Sequence, residues 1–299
     1  MKVVNSIELY ESQENTSIAL GTFDGVHLAH SAVIKEAVNS EFTPAVFSFA
    51  QLPSAVINGE QVPSITTKES KQKLFEKLGV KIFFCPSFLD FKDMSAEDFV
   101  LMLKEKLGAK KITCGFNFTF GANRLGTPQL LKQLCKEHKI ELKVIPPFLV
   151  SDAPISSTRI RNHIENGELD KARELLGHEF SFIFKVKEGN HLGSTWEIPT
   201  INQEFPQNFI VPKKGVYASK TIINGKEYKS ITNIGVKPTI GSENVCSETN
   251  IFDFEGDLYD ETVEVVLRFF IRPERKFENI DELKRAINND IEYVKNMIY

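Results

Sequence analysis

Cysteine is scarce. The 299 residues include four, Cys85, Cys114, Cys135 and Cys246, spread without a Cys-x-x-Cys pair and without clustered histidines. That spacing argues against a structural zinc site and a disulfide framework, and it fits a reducing compartment. Positive charge is not in excess either: 36 Lys and Arg stand against 40 Asp and Glu, a formal net charge of −4. The chain therefore has no basic footprint for a nucleic-acid backbone. Long apolar runs are missing as well. Nowhere do about 18 apolar residues stand together, and the opening MKVVNSIELYESQ mixes charges and lacks an apolar stretch of signal-peptide length. Together these absences predict a cytoplasmic protein with neither a membrane segment nor a nucleic-acid partner. No internal repeat or low-complexity segment interrupts the chain, and the sequence carries no signal for an oligomeric state.

What is present falls into two textures, and the length is about twice that of a typical domain. Up to about residue 177, short apolar runs at 17–20, 43–49, 81–85, 111–115 and 142–145 alternate with amphipathic helical stretches. Thr67 and Ser95 are candidate helix caps, with Gly79 and Gly108 as stops, and a last small helix over 169–176 ends at Gly177. Such alternation predicts an α/β domain with a parallel sheet. After Phe180 the runs 182–187, 215–223, 228–234, 249–254 and 262–271 are rich in β-branched and aromatic residues, with turn signals at Asn224-Gly225 and Glu255-Gly256-Asp257. That texture predicts an antiparallel barrel or sandwich. A closing helix starts at Asn279 and carries Ile280, Leu283, Ile287, Ile291, Val294 and Ile298 along one face, a stripe expected to cover the barrel.

Three stretches of the first half carry chemistry. Residues 21–30 read GTFDGVHLAH, a strand-to-helix turn of the kind where an α/β sheet presents a ligand. Gly21 and Gly25 permit close backbone approach, and the helix opening near His30 aims N–H groups at an occupant, for which phosphate is the natural choice. His27 and His30 either stabilise charge on a transferring phosphate or simply cap a surface helix. Residues 154–161 read PISSTRIR, whose hydroxyls and guanidinium forks suit phosphates, or else mark an ordinary helix start capped by Ser156 or Ser157. Residues 115–126 read GFNFTFGANRLG, either a stacking wall for a planar ring or core phenylalanines.

In this order, the three segments resemble the adenylyltransferase module of the bacterial bifunctional riboflavin kinase/FAD synthetases, which belong to the HxGH nucleotidyltransferases. The resemblance implies a Rossmann-like HxGH-type nucleotidyltransferase domain over residues 1–180. In it, Gly21, Phe23, Asp24 and Gly25 hold ATP together with Ser156, Ser157, Thr158 and Arg159, and His27 and His30 assist adenylyl transfer. Phe116, Asn117, Phe118, Phe120 and Gly121 lie by the flavin. Two departures predict a slow adenylyltransferase: Ala29 stands where the family pattern has glycine, and FAQLP, residues 49–53, replaces an FDPHP-like segment.

In the second half, residues 189–202 read GNHLGSTWEIPTIN. Gly189 and Gly193 leading into Pro199, Thr200 and Asn202 suit an ATP-phosphate loop in which the Thr200 hydroxyl and the Asn202 amide oxygen ligate magnesium. PTIN by itself reads equally well as a turn. Joined by NIGVKPTIG at 233–241, SETNIFDFEGDLYD at 247–260 and LRFFIRPERKF at 267–277, it resembles the riboflavin kinase module of the same family. That module is a six-stranded antiparallel β-barrel, here with a terminal helix, over residues 181–299. The resemblance makes Glu248 the base that accepts the ribityl 5′-hydroxyl proton, Mg2+ the cofactor and ATP the co-substrate. Asn250 replaces a family histidine, and Glu197-Ile198 precedes Pro-Thr where the family has a glycine-containing stretch. The expected activity is phosphorylation of riboflavin to FMN, then adenylylation of FMN to FAD with release of pyrophosphate. The departures keep open an alternative, a flavin- or nucleotide-binding regulatory paralogue.

Overall fold

The computed structural model describes residues 1–49, 53, 62–188, 199–239 and 242–297, with the side chains of 237–239, 242 and 243 left aside. The chain divides into two compact units, residues 1–157 and 158–299.

In the first unit six parallel strands form one sheet: β1 (Lys2–Val4), β2 (Thr16–Leu20), β3 (Thr43–Phe47), β4 (Ile82–Phe84), β5 (Ala109–Gly115) and β6 (Glu141–Ile145). Their order is β1-β4-β3-β2-β5-β6. Among the described residues four α-helices cover the sheet: α1 (Leu28–Val38), α2 (Lys68–Leu78), α3 (Ala96–Glu105) and α4 (Pro128–Glu137). Alternation along the strands splits the core in two. Ile18, Leu20, Ala45 and Phe47 pack with Phe99 and Leu103 of α3 and Leu131 of α4, whereas Ala19, Val46 and Phe83 pack with Ile34 of α1 and Phe75 of α2. The caps expected at Thr67 and Ser95 form, accepting from the backbone N–H of Ser70 and Asp98, and each such cap contributes about 1 kcal/mol. Gly79 closes α2 in the left-handed region at φ 96°. α3 ends at Glu105, short of Gly108. The three-residue β1 has no sequence signal of its own; it forms because β4 offers a free edge.

β2 is followed by β3 and β4 on one side and flanked by β5 and β6 on the other, and the helices after β2 and β5 cover opposite faces. A crevice must open at the carboxyl ends of β2 and β5, the place where open α/β sheets bind ligands. The two motif turns GTFDGVHLAH and GFNFTFG leave from those two strand ends. A two-residue hairpin, β7 (Leu149–Val150) with β8 (Ala153–Pro154), precedes the PISSTRIR helix.

The second unit begins with α5 (Ser157–Glu165) and α6 (Leu169–Leu176), then six antiparallel strands: β9 (Ser181–Lys185), β10 (Thr200–Glu204), β11 (Gly215–Ile223), β12 (Lys226–Thr239), β13 (Ser242–Ile251) and β14 (Thr262–Pro273). Their order is β10-β13-β12-β11-β14-β9, and a bridge between Lys187 and Asn202 brings the two edges together into a nearly closed barrel rather than a sandwich. β10 corrects the reading of PTIN as a loop or turn: Thr200–Glu204 is a strand, because pairing with β13 satisfies a backbone whose local sequence is undistinguished. The hairpin β12–β13 runs longer than the apolar runs suggest, and Phe254 lies beyond its end.

Part of the barrel interior is polar. Ser219 bonds Ser230 and Thr232 at 2.8 Å, and Thr232 bonds Thr249 at 2.9 Å, all at 0% exposure. Cross-strand hydroxyls there satisfy one another. The terminal helix, α7 (Ile280–Asn296), lays Val294 against Val216, Ala218, Ile231 and Phe252, and Arg272 of β14 grips Asp290 through two nitrogens. Its stripe covers the barrel only over the later turns; Ile280 is 58% exposed, and Ile298 lies outside the described residues.

The division at 157/158 precedes the change of texture near 177 because α5 and α6 pack with the barrel. Leu169, Ala172, Leu175 and Leu176 are buried, α6 contacts β14, and the Lys213 N–H donates to the Ile164 carbonyl at 3.3 Å. A fragment of residues 158–299 is therefore expected to melt about 5 °C or more above one of residues 181–299. Equal melting curves by circular dichroism would mean that the two helices contribute nothing.

Candidate functional site

The turn after β2 is built from strained backbone. Phe23, Gly25 and Val26 take φ of 48°, 82° and 41°, a conformation costly for a β-branched valine. Three contacts hold it. Phe23 is buried and packs edge-on against His30 and Phe75, at 5.3 and 6.0 Å between ring centroids. Asp24, 1% exposed, accepts from the N–H groups of Ile65 and Thr66 through Oδ1 at 2.9 and 3.3 Å. The Lys71 ammonium, on α2, donates to the Thr22 carbonyl at 3.0 Å. Gly21 has its own reason: a Cβ there would meet the Phe23 ring at 2.9 Å. Phe23 and Asp24, both expected to hold ATP, also hold the turn itself together: the Phe23 ring is core and Asp24 Oδ1 accepts from backbone N–H groups.

His27 is the N-cap of α1, but it is not the surface cap of the alternative reading; it is 4% exposed. Its Nδ1 accepts from the His30 N–H at 3.2 Å, and the two imidazoles stack at 3.4 Å with 16° between planes. An accepting Nδ1 carries no proton, so the proton of neutral His27 is on Nε2. His30 Nδ1 is buried with no hydrogen-bond partner among the described residues. Leaving a lone pair unmet costs less than stranding an N–H, which places the His30 proton on Nε2 as well. Burial holds the His30 imidazole well below its usual titration range, helped by the neighbouring His27 and Lys71. His30 is thus held neutral with its donor on Nε2, and the accepting Nδ1 of His27 leaves that ring's donor on Nε2 too.

The Ser157 hydroxyl donates to the Asp24 carbonyl at 3.0 Å, so PISSTRIR is fastened to the GTFDG turn. Ser156 and Thr158 are exposed and Arg159 is half-buried at the start of α5. The aromatic segment divides. Phe120 is core, 7% exposed and tilted against Phe99, while half-buried Phe118 stacks on Phe120 at 5.6 Å. Phe116 and Asn117 remain exposed. Gly121, at φ 70°, has the Ala96 backbone 3.0 Å from where a Cβ would stand, so close packing with α3 requires a glycine there. Sequence reading passed over Lys71, 5% exposed, because lysines on an amphipathic helix are ordinarily solvated. The signal was there: Lys71 shares the buried stripe of α2 with Phe75 and Leu78, four and seven residues on.

On the barrel, register does the assembling. Thr200 lies opposite Asn250, Asn202 opposite Glu248, and Glu248 opposite Asn233 of β12. Their neighbours Gln203, Ser247, Thr249 and Thr232 fill the interior at 0 to 1% exposure. By strand alternation Thr200, Asn202, Glu248, Asn250 and Asn233 all share the outer face, each half-buried. Asn233 is a member of this row that the sequence motifs had not singled out. The Asn250 amide donates to the Pro199 carbonyl at 2.7 Å, so the residue replacing the family histidine anchors the start of β10. Gly189, Gly193, Trp196, Glu197, Ile198 and residues 50–52 lie outside the described residues.

A parallel sheet with a histidine pair at its switch point, joined to an antiparallel barrel with a row of oxygen-bearing side chains, defines a two-domain transferase. The family model for FAD synthetase matches residues 9–159, and that for riboflavin kinase matches residues 176–298. The bifunctional riboflavin kinase/FMN adenylyltransferase of Bacillus subtilis (strain 168) is 33% identical over 301 residues, covering 96% of this chain and 95% of that one. The Escherichia coli (strain K12) protein of the same description is 31% identical over 300 residues, covering 97% and 96%. A crystal structure of a Streptococcus pneumoniae protein described as a macrolide-efflux protein superposes with a TM-score of 0.87 and 27% identity over 99% of both chains. The chain belongs to the bifunctional riboflavin kinase/FMN adenylyltransferase family and carries both of its enzyme modules. No helix among the described residues is long and apolar enough to cross a membrane.

Proposed function

We propose that this chain phosphorylates riboflavin to FMN on its barrel and adenylylates FMN to FAD on its sheet domain, as a cytoplasmic enzyme, with the catalytic modules at residues 1–180 and 181–299. The observation that carries the adenylyl-transfer assignment is the stacked His27–His30 pair at the start of a helix above the switch point, its Nε2 atoms read as the donors. Such donors stabilise charge that builds on the α-phosphate and the departing pyrophosphate without forming a covalent intermediate. Gly21 and Gly25 shape the turn, Ser156, Thr158 and Arg159 bind the triphosphate, and Phe116 with Asn117 receives the flavin ring.

On the barrel, Glu248 accepts the proton of the ribityl 5′-hydroxyl as it attacks the γ-phosphate. Thr200 and Asn202 stand beside it on one face and supply oxygens, the donor set a hard cation such as Mg2+ prefers. When bound there, the ion neutralises phosphate charge. Gly189, Gly193 and Pro199 belong to the ATP loop. The test is direct: protein mixed with riboflavin, ATP and magnesium, with the flavins then separated, yields FMN followed by FAD. Riboflavin bound but unchanged would leave the regulatory alternative standing.

Ala29 lies in the first turn of α1 between the two histidines and is half-buried. Ala29→Gly is expected to raise the rate of FAD formation from FMN by up to about tenfold, because a methyl leaves the path of the nucleotide. Riboflavin phosphorylation should not change. A lower rate of FAD formation would mean that the methyl is accommodated and that its helix propensity matters more.

A further inference from the structure

Lys71 is a charged side chain for which neither the sequence motifs nor the adenylyl-transfer assignment has a use. Lysine is almost never fully buried without a reason, yet Lys71 is 5% exposed. Its ammonium donates to the Thr22 carbonyl, one residue before Phe23, whose ring stands edge-on to His30. The groups that face it come from every side. Asp24 is on the turn, His30 is in the first turn of α1, and Cys85 follows β4, with Lys68 and Glu69 of α2 acting on Cys85 in turn. Burial pulls the Lys71 ammonium below its usual titration range, against the opposing pull of Asp24 and Cys85. Phe75, on the same stripe of α2, packs against Phe23 and fixes the helix that carries the lysine.

We propose that Lys71 is a positioning residue for adenylyl transfer: its ammonium, tied to the Thr22 carbonyl, holds the turn that seats Phe23 edge-on against His30 and so aims the histidine pair at the arriving triphosphate. This rests on the reading of His27 and His30 as the adenylyl-transfer pair. Two physical effects combine. The hydrogen bond to Thr22 locks a turn whose backbone is strained at Phe23, Gly25 and Val26, and preorganised donors act without reorganising during the reaction. The positive charge also disfavours protonation of His30, whose buried Nδ1 has no partner among the described residues to share a second proton. A protonated His30 would place an N–H at that unpartnered Nδ1, so the neutral form is the competent one.

The test uses the full chain and FMN adenylylation followed across pH. Lys71→Met keeps the length of the side chain and removes the charge; kcat/KM for FMN adenylylation should fall about 10- to 100-fold. The acid limb of its pH profile should move to higher pH, because His30 then protonates more readily. Lys71→Arg keeps the charge, so its acid limb should stay with the parent's whatever its rate. Thermal melting of the three proteins separates a loosened fold from a changed charge. An acid limb that stays in place in Lys71→Met, with activity still dependent on the histidines, would overturn the role of Lys71 alone. Full activity in a histidine variant such as His30→Gln would instead overturn the reading on which it rests.

Discussion

Glu248→Gln is expected to lower riboflavin phosphorylation by a factor of ~10² to 10⁴ while leaving ATP affinity nearly intact. Glutamine keeps the shape and the hydrogen-bonding length of the side chain but cannot take the 5′-hydroxyl proton at neutral pH. Its location favours this reading over that of an exposed strand glutamate, since it is half-buried in a row with Asn202 on one side and Asn233 on the other. Thr200→Ala should fail earlier in the cycle, in binding Mg-ATP, so its defect should partly recover at high magnesium where that of Glu248→Gln does not. Both variants should convert supplied FMN to FAD at the parent rate. Normal riboflavin phosphorylation by Glu248→Gln would remove the proposed catalytic centre of the barrel.

His27→Asn should cut FMN adenylylation by about 10² to 10³-fold with riboflavin phosphorylation unchanged. The choice of asparagine separates chemistry from folding. Its Oδ1 sits where His27 Nδ1 now accepts the His30 N–H, and asparagine is among the best N-cap residues, so α1 keeps its start. What disappears is the Nε2 donor and the stack on His30. His27→Ala removes the cap as well and should additionally lower stability by about 1 kcal/mol. Steady-state rates paired with melting curves distinguish the two losses, and a His27→Asn variant with parent adenylylation would make His27 a cap and nothing more.

How far these sites were legible differs between the halves. GTFDGVHLAH could be placed on a strand-to-helix turn because an apolar run precedes it and a helical stripe follows, both local patterns. That the turn uses Phe23 as core and Asp24 as a tether to Ile65 and Thr66 was not legible, because the contact joins residues 41 and 42 apart. In GFNFTFG, the pattern leaves a stacking wall and core phenylalanines equally open; the strand stops at Gly115, Phe120 packs in the core against Phe99 of α3, and Phe118 stacks on Phe120. PTIN reads as a loop or turn and is a strand, since a short polar stretch becomes one only when an edge such as β13 receives it.

By itself the sequence determined the alternation of α and β in the first half, the β texture of the second, the helix caps, and the motifs that name the family. Each of these rests on periodicity or on side chains within a few residues of one another, where local physics is decisive. Only the tertiary structure decided that β2 and β5 form the switch point, that β10 closes the barrel, and that Thr200, Asn202, Glu248 and Asn233 share one face. It also decided that Lys71 is buried behind the histidine turn. Strand order, register and burial are set by contacts between segments tens of residues apart, whose energies depend on which surfaces meet and not on what any one segment prefers.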